Sequence, residues 1–156
     1  MMGVEMPIPL KTVMAAIERL HGSPRQLSTT EIAILDAHAG AIVDEIADQW
    51  PVDTSTSRDA WTHILDTTRG DIGFTIINDV FYVEYVHRAG EGPEPLYESL
   101  VPEVVRAHAP ALNADMIDAI KETEARYQAF KRAGEKRAFT RAIAERGTAR
   151  AKRLAA

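Results

Sequence analysis

Residues Arg58 to His87 read RDAWTHILDTTRGDIGFTIINDVFYVEYVH, and this stretch decides the fold. Apolar side chains at Trp61 and Leu65, then at Ile72, Phe74 and Ile76, then at Phe81, Val83 and Tyr85 recur at alternate positions. That period lays one face of a strand on a core. Two turn signals interrupt the run. In Thr68-Arg69-Gly70-Asp71 the glycine is free to take positive φ, and Asn78-Asp79 tolerates the left-handed conformations of tight hairpins. The spacing predicts a three-stranded antiparallel β-meander over about residues 59 to 87. Three strands with one apolar face do not hold alone in water, so flanking helices must cover them and the fold class is α+β.

Working back towards the start, residues 8 to 21 carry Leu10, Val13, Met14, Ile17 and Leu20 at helical spacing, ended by Gly22-Ser23-Pro24. Ser28-Thr29-Thr30-Glu31 reads as a capping box, with Ser28 as N-cap and Glu31 three residues on. The helix it opens runs from about Thr29 to Trp50, with Ile32, Leu35, Ala39, Ile42, Val43, Ile46 and Trp50 on one stripe and Pro51 as its stop. Glu31, Asp36, Asp44, Glu45 and Asp48 oppose that stripe, and no Lys or Arg stands between Arg25 and Arg58. Such a face is either simply solvated or selected to be negative, because exposed helices ordinarily use i,i+4 ion pairs.

Beyond the meander, Arg88-Ala89-Gly90-Glu91-Gly92-Pro93-Glu94-Pro95 reads as an exposed loop. Leu96, Leu100, Val101, Val104 and Val105 suggest a short helix that Pro110 breaks, and Asn113 is placed to cap another, with Asp115 and Asp118 in its first turn. That last helix carries Met116, Ile117, Ile120, Tyr127 and Phe130 and closes before Gly134. Residues 135 to 156 continue as a basic helix in which Phe139 and Ile143 are the sizeable apolar pair before Leu154, too little to hold it on a core.

The chain has 156 residues, 46% hydrophobic and 26% charged, as in an ordinary globular domain. It has no cysteine, which removes disulfides, thiolate metal sites and a cysteine nucleophile. No apolar run reaches the ~18 residues a membrane helix needs, and the opening MMGVEMPIPLK lacks a secretory pattern; synthesis in the cytoplasm is expected. The net charge of -5 conceals a split. Residues 1 to 130 hold 9 Lys+Arg against 21 Asp+Glu, a net -12, and residues 131 to 156 hold 9 against 2, a net +7. The expected organisation is a core domain, 1 to 130, followed by a basic arm, 131 to 156. The arm is either a solvated or frayed tail or a segment that docks on something acidic, whether nucleic acid or a neighbouring copy.

Signals for chemistry are sparse. His21, His38, His63, His87 and His108 show no metal-ligand spacing, although His63 and His87 stand where a meander would let them meet. No phosphate-binding loop, dinucleotide fingerprint or nucleophile elbow is present, and the Gly90-Glu91-Gly92 pair is followed by prolines rather than by a helix start. No catalytic residue, metal or cofactor is expected. Glu84, between Tyr82 and Tyr85, is either an outward strand residue or a partner for a basic group across an interface.

The run YVEYVHRAGEGPEPL, Tyr82 to Leu96, resembles the neck or tail-completion (head-tail joining) proteins of long-tailed double-stranded DNA bacteriophages. Tyr82, Glu84, Tyr85, Gly90, Pro95 and Leu96 match an aromatic-x-Glu-aromatic strand, a glycine-bearing loop and a proline that opens a helix. Thr56-Ser57-Arg58-Asp59-Ala60-Trp61 is similar to the family's entry to the first strand, with serine where a glycine is usual. The motifs cover about 40 residues and the element order about residues 28 to 130; the basic segment 131 to 156 has no counterpart. The resemblance implies a structural virion protein rather than an enzyme: a homo-oligomeric ring between capsid connector and tail tube, touching connector or adaptor and tail-tube proteins. DNA would pass through its lumen without specific binding. Subunit interfaces are then expected at Glu84, Arg88, Gly90, Glu91 and Gly92, and, from the arm's own charge and apolar residues rather than from the resemblance, at Arg137, Phe139, Arg141, Ile143, Arg146, Arg150, Lys152 and Arg153. Asp36, Asp44, Glu45 and Asp48 would face the lumen, where acids repel phosphates. The competing expectation is a nucleic-acid-binding or protein-interaction module that uses the basic arm.

Overall fold

The computed structural model describes residues 3–51, 55–87 and 92–155. In chain order the elements are β1 (Val4–Pro9), α1 (Lys11–His21), α2 (Thr29–Gln49), α3 (Ser55–Asp59), β2 (Thr62–Asp66), β3 (Gly73–Asn78), a 3₁₀ turn at Val83–Tyr85, and α4 (Leu96–Ala155). The class is α+β, with a three-stranded antiparallel sheet and long helices, as the sequence predicts. Two of the three expected strands are β2 and β3, joined through a turn in which Asp71 N–H donates to Thr68 O at 3.1 Å and Gly70 takes φ 83.

The third strand is not the expected one. The sheet order is β1-β3-β2, so the second edge of β3 is taken by residues 4 to 9, and residues 81 to 85 form no strand. After Asn78 the side chain of that residue accepts from Val80 N–H at 3.1 Å, and i→i+3 bonds follow from Val83, Tyr85 and Val86. Val83 is buried while Phe81 and Tyr85 are exposed, so the alternation there is a coincidence of an i,i+3 pattern with apolar neighbours. Residues 8 and 9, expected in the first helix, belong to β1. Pro7 and Pro9 suit an edge strand, because proline has no N–H to donate.

Register places the core. Ile8, Phe74 and Leu65 stand in one row across the sheet, and Met6, Ile76 and His63 in the next. Phe74 and Ile76 are buried, with Ile8, Met6 and Leu65 partly so. This face is covered by α1 through Val13 and Ile17 and by α2 through Leu35, Ile42 and Ile46. Gly73 lets β1 come close: a Cβ there would stand 2.4 Å from the Ile8 carbonyl oxygen.

The capping box forms as predicted, with Glu31 N–H donating to Ser28 Oγ and Ser28 N–H to Glu31 Oε1. A polar link ties the end of α2 to β3: Trp50 Nε1 donates to Ser57 Oγ at 2.9 Å and Asn78 Nδ2 to Ser57 O at 2.5 Å. Trp50 and Trp61 pack edge to face at 5.0 Å between centroids.

Residues 96 to 155 are one helix, not the expected three, and it runs through Pro102, Pro110 and Gly134. Each interior proline removes one backbone bond at a cost of about 3 kcal/mol. Burial of Leu96, Leu100, Val101, Val104, Leu112, Met116 and Ile120, at roughly 1.5–3 kcal/mol for each such side chain, outweighs that. Asn113 is therefore interior rather than an N-cap. The chain divides into two compact units, Met1–Ile120 and Lys121–Ala156. Among the described residues no helix is long and apolar enough to cross a membrane.

Truncating Phe74 to Ala removes the largest core side chain of the central strand. The expected loss is ~3–5 kcal/mol in urea unfolding; a loss below about 1 kcal/mol would place Phe74 on the wrong face of the sheet.

Candidate interaction surfaces

The acids of α2 are less alike than their sequence pattern. Glu31 is fully buried and is held by both terminal guanidinium nitrogens of Arg25, Nη1 and Nη2, at 2.7 and 2.9 Å. It is thus part of the core, not of an opposing face. Asp36 accepts from His63 Nε2 of β2 at 2.7 Å, and Glu45 accepts from His108 Nε2 of α4. A third pair runs the other way, from His38 Nε2 on α2 to Asp115 Oδ2 on α4 at 2.8 Å. Asp115, expected to favour a helix start, instead fastens two helices. Asp44 and Asp48 are exposed. Of the four residues expected to face a lumen, Asp36 and Glu45 thus have histidine partners and Asp44 and Asp48 project from one turn to the next. The spacing gave no warning of these pairs, because each joins residues at least 27 positions apart.

His63 and His87 do not form the pair a meander would bring together: His87 Nδ1 donates to Glu94 O at 2.9 Å. Glu84 is exposed within the 3₁₀ turn. Desolvation pushes the Tyr97 hydroxyl up, and the charges of Glu98 and Glu84 push it further; the same hydroxyl donates to Glu98 Oε1 at 3.4 Å at the start of α4. Leu96 N–H donates to Val86 O at 2.7 Å and anchors that start. Gly92 has φ 67, a conformation that favours glycine. Arg88, Gly90 and Glu91 lie outside the described residues.

In the second unit, Arg137, Arg141, Arg146, Arg150, Lys152 and Arg153 are all exposed, and Arg141 Nε bonds Glu145 at 3.0 Å. Exposed with them are Phe130 (78%), Phe139 (68%), Ile143 (55%) and Leu154 (79%). Phe139, Ile143 and Leu154 fall on one side of the helix by their spacing, and Phe130 on the opposite side. Counted by unit, Met1–Ile120 holds 7 Lys+Arg against 19 Asp+Glu, and Lys121–Ala156 holds 11 against 4.

One surface escaped the sequence. The sheet face turned away from α1 and α2 carries Pro7, Thr75 and Ile64 in one row, flanked by Glu5, Ile77, Thr62 and by Pro9, Gly73, Asp66. Ile64 is 61% exposed. A shallow depression of about 140 Å³ lies over Gly73, lined by Pro7, Pro9, Thr75, Asp66 and Asp71 among others. The alternation of Val4, Met6 and Ile8 was the signal for β1, and with it for this face.

A groove of about 210 Å³ between β1, α1 and the first part of α4 is lined mainly by Ile8, Leu10, Phe74, Val105 and Leu112, below the ~300 Å³ at which small-molecule sites begin. Among the described residues no group of three or more His, Asp or Glu is placed to hold a metal ion. No family model matches the chain, and neither does any curated protein or solved structure.

Glu31 sets a pH dependence. Burial pushes its carboxyl up, but the Arg25 hydrogen bonds and charge and the Ser28 N–H more than offset this and hold it below the ordinary 4.5. The unfolded state then binds the proton more readily, so the contribution is complete above pH 4.5 and is lost as pH falls through the folded-state value. Urea midpoints measured from pH 7 downwards are expected to decline below that point, and the decline is expected to be shallower in Glu31→Gln. Equal slopes in the two proteins would contradict the assignment.

Proposed function

We propose that the protein is a structural subunit of a bacteriophage neck, one of a ring of identical copies that joins the capsid connector to the tail tube. The observation that carries this reading is a division of labour within one chain: an acidic α+β unit continues, through a single helix, into a basic unit whose apolar side chains are exposed. Phe139, Ile143 and Leu154 gain by leaving water, and their basic neighbours would be attracted by an acidic surface. A second copy supplies one, because Met1–Ile120 carries a net -12. Arm-to-body contact between copies is heterologous, the type that closes into a ring when its rotation allows.

The resemblance of Tyr82 to Leu96 to neck and tail-completion proteins supports the same reading, with the aromatic-x-Glu-aromatic residues in a 3₁₀ turn instead of a strand. Asp44 and Asp48, exposed with no Lys or Arg on α2, suit a lumen wall past which DNA slides. Such a part acts by shape and contact and requires no catalytic group.

The test compares the full chain with one ending at Phe130. The shortened protein is expected to melt within a few degrees of the full one, since residues beyond Phe130 bury nothing among those described, while its sedimentation shows loss of the oligomer. Association of the full chain is expected to strengthen as salt is lowered. Retention of the oligomer after truncation would contradict the proposal. So would duplex-DNA binding by the full chain, with a steep salt slope, in place of self-association.

A further inference from the structure

Among the described residues two apolar surfaces are uncovered, and their chemistry is complementary. On the sheet, the described helices lie against one face only. A bare outer face is ordinary for an antiparallel sheet when it is polar. Here its middle row is Pro7, Thr75 and Ile64, with Ile77 beside them, and its charged groups are Glu5 and Asp66, both acidic. Gly73 contributes no side chain, which leaves the depression rimmed by Asp66 and Asp71. Asp66 is anionic by construction: the Thr68 hydroxyl donates to it at 2.7 Å and the Thr68 N–H at 3.1 Å, holding its carboxyl below the usual range.

On the arm, Arg132, Lys136, Phe139, Ile143, Arg150 and Leu154 follow steps of three, four or seven residues and so share one side of α4. Glu135, three residues after Arg132 and four before Phe139, lies at the edge of the same side, and Glu145 lies on the other. The side is therefore apolar and mainly cationic, while the sheet face is apolar with an anionic rim. We infer that the bare face of the sheet receives the arm of a second copy of this chain, with Phe139 and Ile143 over Gly73, Thr75 and Ile64 and the flanking cations against Glu5, Asp66 and Asp71. A helix laid there completes a three-layer arrangement, helices on both faces of the sheet, which neither copy reaches alone. Attraction between the charged rims orients the arm, and the aromatic knob fixes its position. This rests on the assembly reading of the arm and names the surface that the arm meets.

The absence of cysteine makes the test direct, because each substituted chain carries one thiol. Full-length Thr62→Cys and Gly147→Cys proteins, exposed positions that border the contact and leave Ile64 and Phe139 in place, mixed and treated with a short bismaleimide at low salt, are expected to give the mixed dimer in excess over either homodimer. The pair Ala37→Cys and Gly147→Cys, with Ala37 exposed on α2, is expected to give only background. No excess of the mixed product overturns the inference. In parallel, Ile64→Lys is expected to weaken self-association about tenfold or more with an unchanged melting temperature. If removal of the arm abolishes association while Ile64→Lys leaves it intact, the arm still assembles the protein but the sheet face is not its seat. If neither change matters, both readings fall.

Discussion

The close approach of β1 to β3 at Gly73 is the constraint on which the arrangement depends. Gly73 stands opposite Pro9, and a Cβ at that position would come within 2.4 Å of the Ile8 carbonyl oxygen and 3.1 Å of the Pro9 Cα. Because glycine leaves that space, residues 4 to 9 can occupy the free edge of β3. That pairing makes β3 the middle strand, puts Phe74 and Ile76 at the centre of the core, and brings Leu10 N–H to Ile72 O at the start of α1. It also leaves residues 79 to 87 without an edge to pair with, so they turn aside through Asn78. The same missing side chain opens the depression on the outer face of the sheet.

Hydrogen-bonded pairs then fix how the helices lie on this core. Arg25 and Glu31 close the start of α2 in a nearly dry setting, where loss of one partner costs far more than the pair contributes over an apolar substitute. His63 with Asp36, His108 with Glu45 and His38 with Asp115 tie α2 to β2 and to the first part of α4. These three are partly exposed, so each contributes little to stability. Their effect is directional: they set which face of α2 is turned inwards and leave Asp44 and Asp48 outside.

Local rules were legible where the chain satisfied its own backbone groups within a few residues. The Ser28–Glu31 capping box and the Gly70 turn are of that kind, as is the alternation of β2 and β3, and all three are found in the structure. What escaped needed distant partners. Val4, Met6 and Ile8 alternate as a strand should, yet Pro7 and Pro9 look like breakers until an edge position is available for them. Phe81, Val83 and Tyr85 alternate equally well, but only Val83 finds a core. Pro102 and Pro110 end helices when local cost alone is weighed; here the buried series from Leu96 to Ile120 overrides them. The arm's basic, sparsely apolar composition was readable from the start, whereas the sheet face proposed to receive it was invisible while its strands were misassigned.

Acidic unit, basic arm and two uncovered apolar surfaces form a single account if copies of the chain engage one another head to tail. The most direct test is the native mass of the full-length protein at low ionic strength. The account predicts one discrete oligomer of more than two copies, as a closed ring requires, dissociating towards monomer as salt is raised. A monomer throughout, or a two-fold dimer indifferent to salt, would contradict it.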